Sequence, residues 1–344
     1  MEHQNKPRIA VVGAGAIGGI TAAYLAKAGY DVHLVCKHEE IAQKANGTGL
    51  EISGVKGEEE IRVSSVCEIE QLEGMFSLCL IATKAYDMPE AARKMLPRLT
   101  EDALVVSMQN GICTDALSAV VGEEKTVGCV IGWGATMHAP GVLEMTSEGE
   151  FIIGKLQKGH TAELAVLKQA LTAVVPTVVT DDILSELYSK LIVNACITSL
   201  GAICGLHLGE MMKRKQARKI FLAIIAEAMQ TADAMQLHVP PFGGKLDYYK
   251  LMRGQSALDN LRRHMMIRIV GIKYKRLKSS SLQSLERGRP TEIDYFNGYL
   301  ADKAEQNGLK APVNRRLWEM VKEIEQKKRK IEEKNLYDPV FQTL

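Results

Sequence analysis

The feature that most constrains this chain is a strand, a glycine cluster and a helix in immediate succession. Residues 9–12 are a short apolar run rich in β-branched side chains. Gly13-Ala14-Gly15-Ala16-Ile17-Gly18 follows, and Ala16–Lys27 is an alanine-rich amphipathic stretch. Gly29 stands where a helix C-terminal glycine belongs, and Asp31–Val35 reads as a second strand. A strand, helix, strand opening implies a parallel sheet covered by helices. A lone G-x-G-x-x-G says little, but here it leaves a strand and opens a helix. In that setting Gly13 permits the tight turn, Gly15 lets the backbone approach a pyrophosphate, and Gly18 lets helix and strand pack closely. The helix start then offers unpaired N–H groups and a positive dipole end to the phosphates.

The end of the second strand bears on the choice of cofactor. An NAD site usually places Asp or Glu about 20 residues on, against the ribose 2′-hydroxyl. Here Cys36 holds that place, followed by Lys37 and His38. No carboxylate is present to repel a 2′-phosphate, and Lys37 supplies a positive charge. Alone, Lys37 would read as a solvated loop residue; the missing acid carries more weight. NADP(H) is therefore expected in preference to NAD, and no further flavin signature is present.

More strand-like runs follow at residues 78–82, 104–107 and Thr126–Ile131. Residues 142–145 and 151–153 read as further strands, and Gly149 between them suggests a hairpin. Residues 177–180 make a plausible last strand. From Asp181 the pattern turns helical, with Asp181 and Asp182 suited to cap a long helix that runs past Asn194. The expected architecture is α/β: a doubly wound Rossmann-type domain over residues 1–180 and an all-helical domain over 181–344.

The chain has 344 residues, 46% apolar and 24% charged, which suits two globular domains and excludes wholesale disorder. Its 43 basic and 41 acidic residues leave a net charge of +2, so no overall field calls for nucleic acid or membrane as a partner. The seven cysteines include no C-x-x-C pair, so neither a disulfide framework nor a metal site is suggested. The start, MEHQNKPR, lacks a leader pattern, and no apolar run approaches the roughly 20 residues that span a bilayer. A reducing, cytoplasmic location is expected.

Other chemistry-bearing residues sit in recognisable places. Thr83-Lys84 and Gln109-Asn110-Gly111 each follow an apolar run, so Lys84 and Asn110 would lie on the carboxyl rim of the sheet, where open α/β proteins bind ligands. Lys84 could meet a polar cofactor group; Asn110 could bridge ribose and substrate, although Asn-Gly is also an ordinary turn. Lys190 and Asn194 share one face of a helix whose other residues are mostly apolar. Either they face a polar cleft or Lys190 snorkels to solvent, and the pattern alone leaves both open. Ser279-Ser280-Ser281 and Thr291-Glu292-Ile293-Asp294 read alone as cap and loop chemistry.

Taken together these motifs resemble the ketopantoate reductase (2-dehydropantoate 2-reductase) family, over nearly the whole chain from Ile9 to about Trp318. The resemblance implies a Rossmann domain, a helical domain and an active site in the cleft between them, where a branched 2-keto acid is reduced with NADPH, as in pantothenate biosynthesis. It implies that Lys190 is the general acid and that Glu292, beside the nicotinamide end, lies in reach of it. Asn110, Asn194 and Ser280 would contact substrate, with Thr198 standing where a further asparagine is usual. Lys84, Asn110, Ala135 and Glu292 would join the glycine loop at the cofactor. The departures fall on the substrate side. Besides Thr198, Leu208 falls near another substrate asparagine, the usual Ser-Ser-Met-x-Gln-Asp becomes Ser280-Ser281-Leu282-Gln283-Ser284, and the stretch between Pro240 and Ser279 is longer. A different small 2-keto acid is thus an alternative substrate, and a non-catalytic NADP sensor an alternative role. The β-hydroxyacid dehydrogenases share the two-domain plan, but carry Lys-x-x-Asn where this chain has Lys-x-x-x-Asn.

Two charged stretches remain. Residues 262–278 hold seven Lys/Arg and no acid, which fits a solvated helix face or a subunit contact better than nucleic acid, there being no aromatic interleaving. The tail 322–334 alternates charge at helical spacing and reads as an exposed helix, a candidate edge of a homodimer.

Overall fold

The computed structural model describes residues 6–157 and 159–344. The opening residues through Asn5, part of the start read above as leaderless, lie outside them. The chain separates into two compact units, Met1–Leu187 and Tyr188–Leu344.

In the first unit, β1 (Arg8–Val12), α1 (Ala16–Lys27) and β2 (Asp31–Val35) form the expected opening, followed by α2 (Glu39–Asn46). Three short strands come next: β3 (Leu50–Gly54), β4 (Glu59–Ile61) and β5 (Ser64–Val66). Then follow β6 (Phe76–Ile81), α3 (Met88–Met95), β7 (Leu99–Ser107), α4 (Thr114–Val121) and β8 (Thr126–Ile131). The unit continues with β9 (Gly134–Ala139), β10 (Val142–Ser147), β11 (Phe151–Lys155), α5 (Ala162–Thr172) and β12 (Thr177–Val179). The main sheet has the order β12-β11-β8-β7-β6-β1-β2-β5. It is parallel except where β11 runs against β8, carrying β12 with it. The inner strands β1, β6 and β8, and β7 from Ala103 on, bury nearly every side chain, as strands covered on both faces do.

A second sheet, β4-β3-β10-β9, overturns the hairpin expected around Gly149. β10 pairs with β9 and β3, whereas β11 pairs with β8 and β12. Gly149 instead carries the chain from one sheet to the other. A Cβ there would lie 2.3 Å from the Gly132 carbonyl oxygen, so only glycine fits the crossing. The second sheet packs on α1 through a similar gap, since a Cβ on Gly19 would meet Leu143 at 2.6 Å.

The second unit is helical. α6 (Ile183–Cys204) begins in the first unit, where Asp182 caps it by accepting from the Ser185 amide at 3.1 Å. Then come α7 (Leu208–Lys213), α8 (Lys215–Ala234), α9 (Tyr248–Met252), α10 (Ala257–Lys273), α11 (Ser280–Glu286), α12 (Asn297–Gln306), α13 (Pro312–Glu325) and α14 (Pro339–Gln342). α6 corrects one expectation: its 22 residues are long and apolar enough to cross a bilayer. Most of its apolar stretch is buried inside the protein, as the core helix of this unit. The tail also differs from expectation. α13 stops at Glu325, just before Lys327 takes a left-handed φ of 60°; beyond it Arg329 pairs back onto the helix, with Glu323 at 2.5 Å, while Glu333 pairs with Arg214.

Candidate active site

The first unit gathers its candidate residues on one rim. Gly13, Ala14, Gly15, Ala16, Ile17 and Gly18 turn from β1 into α1. Gly13 has φ 111°, and a Cβ on it would lie 2.7 Å from the Ala82 carbonyl carbon and the Thr83 amide nitrogen. A Cβ on Gly18 would lie 1.9 Å from the Gly13 oxygen. Gly15 is different: it is exposed, and a Cβ on it would meet nothing within 4 Å. α1 has no side-chain cap and no acid in its first turn. Its first N–H groups and positive dipole end therefore remain available to an anion, in the space above Gly15 that a side chain would fill. The loop thus fits the pyrophosphate of a dinucleotide.

The neighbouring loops are tied to it. Thr83-Lys84 leaves β6 directly against Gly13, and Gln109 clamps the next loop to it by donating to the Ile81 and Thr83 carbonyls at 2.8 and 3.2 Å. Ser107 in turn donates to Gln109 at 2.7 Å. Lys84 and Asn110 are both exposed on this rim. Sequence reasoning cited Gln109 only as part of a motif; its role as the tie between loops needs the sheet order. Ala135 is half-buried near the start of β9, in the chain that leaves the same end of β8. At the end of β2, Cys36 is buried with its sulfur 3.0 Å from the Ser65 hydroxyl, while Lys37 is exposed.

In the second unit, Lys190, Asn194 and Thr198 form one row along α6. Lys190 and Asn194 are half-buried. The Asn194 Nδ2 is fully buried, with no hydrogen-bond partner among the described residues. A buried amide donor without a partner is costly in an apolar helix, so it marks a place where a ligand acceptor would be stabilised. Thr198 is buried and donates to the Asn194 carbonyl at 2.7 Å. Its proton is therefore committed to its own helix. Leu208 is buried where α7 starts, its amide bonded to the Leu277 carbonyl at 2.9 Å beneath the exit of α10.

The turn that carries Lys190 has an unusual brace. The fully buried Tyr248 donates its hydroxyl to the Ser189 carbonyl at 2.6 Å, and the Val193 amide faces the same oxygen. The phenol thereby braces the turn of α6 that carries Lys190 and leads to Asn194. Burial pushes its pKa far up, so it stays a donor. Ser189 Oγ also donates, to the Pro240 carbonyl at 2.7 Å. Neither Tyr248 nor Pro240 carried any signal of this in the sequence.

Ser279 caps α11 by accepting from the Leu282 amide at 3.2 Å and donates to the Thr198 carbonyl at 3.5 Å. Ser280, the expected substrate contact, is half-buried at the first position of that helix. Ser281 Oγ is a second buried polar atom without a partner among the described residues. Thr291 opens no long helix: a separate turn, Ile293–Tyr295, follows it ahead of α12. Thr291 holds it by donating to Glu325 at 2.7 Å from both amide and hydroxyl, and Trp318 Nε1 donates to Asp294 at 2.6 Å. Glu292, inside this pinned turn, is buried.

A dinucleotide-type first unit joined to a helical unit that presents a lysine and an asparagine from its core helix defines a class of two-unit nicotinamide-type oxidoreductase folds. The comparisons are more particular. The profile described as "Ketopantoate reductase PanE/ApbA" matches residues 9–158, and "Ketopantoate reductase PanE/ApbA C terminal" matches residues 182–325. The chain belongs to the ketopantoate reductase family. It is 28% identical over 319 residues to the 2-dehydropantoate 2-reductase of Archaeoglobus fulgidus, covering 92% of this chain and 98% of that one. A solved PanE/ApbA family ketopantoate reductase from Ralstonia eutropha JMP134 superposes with a TM-score of 0.79 at 28% identity, over 93% of this chain and 99% of that one. A D-mandelate dehydrogenase solved with NADH and anilino(oxo)acetate shares the fold, at TM-score 0.78 and 23% identity, over 94% of this chain and all of that one (100%).

Proposed function

We propose that this protein is an NADPH-dependent 2-keto acid reductase that converts 2-dehydropantoate to (R)-pantoate, the step used in pantothenate biosynthesis. The observation that carries the reading is the Lys190 and Asn194 row, with a buried and unpartnered Asn194 amide donor on the core helix of the second unit. The cofactor, when bound, supplies a hydride to the keto carbon. The chain's part is to bind and to manage charge. The uncapped start of α1 above Gly15 receives the pyrophosphate, with Lys84, Asn110 and Ala135 along the same rim. Lys37, with no acid at Cys36, receives a 2′-phosphate. The Lys190 ammonium stabilises the oxyanion and donates its proton there. Asn194 and Ser280 hold the acid in place, and Glu292 keeps Lys190 charged and oriented. The NADH-bound mandelate dehydrogenase makes NAD the competing cofactor. A Lys37→Glu variant is expected to weaken NADPH at least about tenfold and spare NADH. Equal effects on both would remove Lys37 from the 2′-phosphate.

A second reading keeps the mechanism and changes the acid. Thr198 has committed its proton to the Asn194 carbonyl and Leu208 is sealed beneath the exit of α10, so two usual amide contacts are absent. A site that lacks a hydrogen-bonding partner discriminates against a substrate needing it by factors up to about 10⁴. The test is loss of NADPH absorbance with 2-dehydropantoate beside a panel of other 2-keto acids, with Lys190→Ala as control. Turnover of 2-dehydropantoate that vanishes in the control supports the proposal. Turnover of another acid alone supports the second reading. Binding of NADPH with no turnover of any acid points to a sensor, and an active control removes Lys190 from the acid role.

A further inference from the structure

The segment between Pro240 and Ser279 contains a long helix that turns an apolar stripe outward. On α10, Leu258, Leu261, Met265, Ile269 and Ile272 are 78, 57, 56, 61 and 67% exposed. At about 100° per residue they fall within an arc of roughly 80°. The helix is held to the protein by another face, where Ile267 is buried and a Cβ on Gly271 would meet Met212 at 2.4 Å. The stripe is therefore not a displaced core face. A contiguous apolar stripe on an otherwise ordinary surface marks a place of contact.

Its spacing says with what. Leu258 and Ile272 lie seven residues either side of Met265, and Leu261 and Ile269 lie four either side. The pattern reads the same in both directions along the helix. Two copies of α10 laid antiparallel about Met265 bring Leu258 against Ile272, Leu261 against Ile269 and Met265 against itself. That self-complementarity is what an isologous two-fold interface requires.

The area and the charges agree. The five side chains leave roughly 300 Å² exposed per copy, taking about 100 Å² for a whole apolar side chain. Met266 and Val270 on the helix, with Tyr274 and Leu277 at its exit, are 36–47% exposed as well. Two copies then supply about 900 Å², near the apolar share of a standard interface of roughly 1,600 Å². Two of the basic residues on this helix are turned back onto the protein instead of fringing the stripe. Arg262 donates to the Arg253 carbonyl at 2.7 Å and Arg263 to the Met252 carbonyl at 2.8 Å, so both turn back to the end of α9. Arg268, Lys273, Lys275 and Arg276 are left exposed at the rim.

We propose that α10 is a homodimer interface, two copies of this chain pairing antiparallel about Met265. The test is the mass in solution of the full chain, by light scattering and sedimentation, up to about 100 µM. The wild type is expected to be a dimer that holds or tightens as salt rises, because like charges at the rim are screened. Met265→Glu sets two carboxylates against each other on the axis and is expected to weaken the dimer about 100-fold or more, with the far-UV circular dichroism of the wild type since the site is exposed. Register is tested separately. Leu261→Glu and Ile269→Lys alone should each give monomer, while the double variant, which faces Glu to Lys across both symmetric contacts, should regain dimer. A monomeric wild type, a Met265→Glu dimer of wild-type strength, or a double variant as weak as the singles overturns the proposal. So does a monomer that co-sediments with phosphatidylglycerol vesicles and is released by salt, which would give the stripe to a lipid surface.

Discussion

Replacing Gly15 and Gly18 by alanine, one at a time, separates ligand contact from packing within a single loop. At Gly18 the new Cβ would sit 1.9 Å from the Gly13 oxygen and 2.9 Å from the Ala82 Cβ. The oxygen is backbone, so α1 must lift or the Gly13 turn must open, and overpacking of this kind costs about 1–3 kcal/mol or more. At Gly15 the new Cβ would meet nothing, and the residue already has φ −69° and ψ −177°, which alanine adopts without strain. A small loss of capping preference is offset by a stiffer unfolded chain, so the free protein should change by less than about 1 kcal/mol. With cofactor the order reverses for Gly15. The methyl would stand where a phosphate oxygen must come within hydrogen-bond range of the helix start. One or two charge-assisted bonds at roughly 1.5–3 kcal/mol each are then lost, which is about 10- to 20,000-fold in NADPH affinity. Thermal melting without ligand and titration of NADPH fluorescence read the two quantities. Gly18→Ala should melt several degrees lower; Gly15→Ala should melt like the wild type and bind poorly. Wild-type NADPH affinity in Gly15→Ala, or a fall in its melting point as large as that of Gly18→Ala, would refute the reasoning.

Other expectations follow from the second unit. Tyr248→Phe removes the hydroxyl that is bonded to the Ser189 carbonyl beside Lys190. Turnover should fall about tenfold through displacement of the Lys190 and Asn194 side chains. Tyr188→Phe removes an equally buried hydroxyl, bonded at 2.8 Å to the Ala228 carbonyl, and should cost a similar ~1 kcal/mol of stability with turnover intact. Equal turnover in the two variants would reduce Tyr248 to a structural part. Burial alone would raise the Asp338 carboxyl, but the Arg316 guanidinium at 3.0 Å and the Val340 amide overcome it and hold the group below its usual value. A depressed acid stabilises above its unfolded pKa of about 3.9 and loses that contribution as pH falls through its folded value. The melting-point gap between wild type and Asp338→Asn should therefore be full at neutral pH and close in acid below about pH 4. A gap independent of pH would place the stabilisation elsewhere.

The opening of the chain was legible because each of its signals is local. The limits Ala16–Lys27, Asp31–Val35 and Thr126–Ile131 come out of the structure as the sequence suggested them. The second sheet was not legible, for stated reasons. β4 is only three residues long and carries Glu59 and Glu60, and β9 is largely exposed. Neither shows an apolar alternation. Gly149 looks like a turn in sequence, and only the Gly132 backbone against it shows that the chain is changing sheets. At the candidate site, the shared face of Lys190 and Asn194 needed only helical spacing. The phenol bonded to the Ser189 carbonyl beside Lys190 comes from Tyr248, and the cover over Leu208 from the exit of α10. Both depend on which distant segments fold together, which spacing within α6 cannot report.

The stretch from Pro240 to Ser279 looks, in sequence, like an ornament that protein engineers would trim first. Its opening residues reach inward to the helix of Lys190, and its long helix faces outward. Shortening it would pull on the reaction centre and erase a surface in one stroke. Mutational drift along this segment is thus filtered twice, so the two properties are inherited as a single module, and a homologue that lacks the loop must brace its lysine by other means.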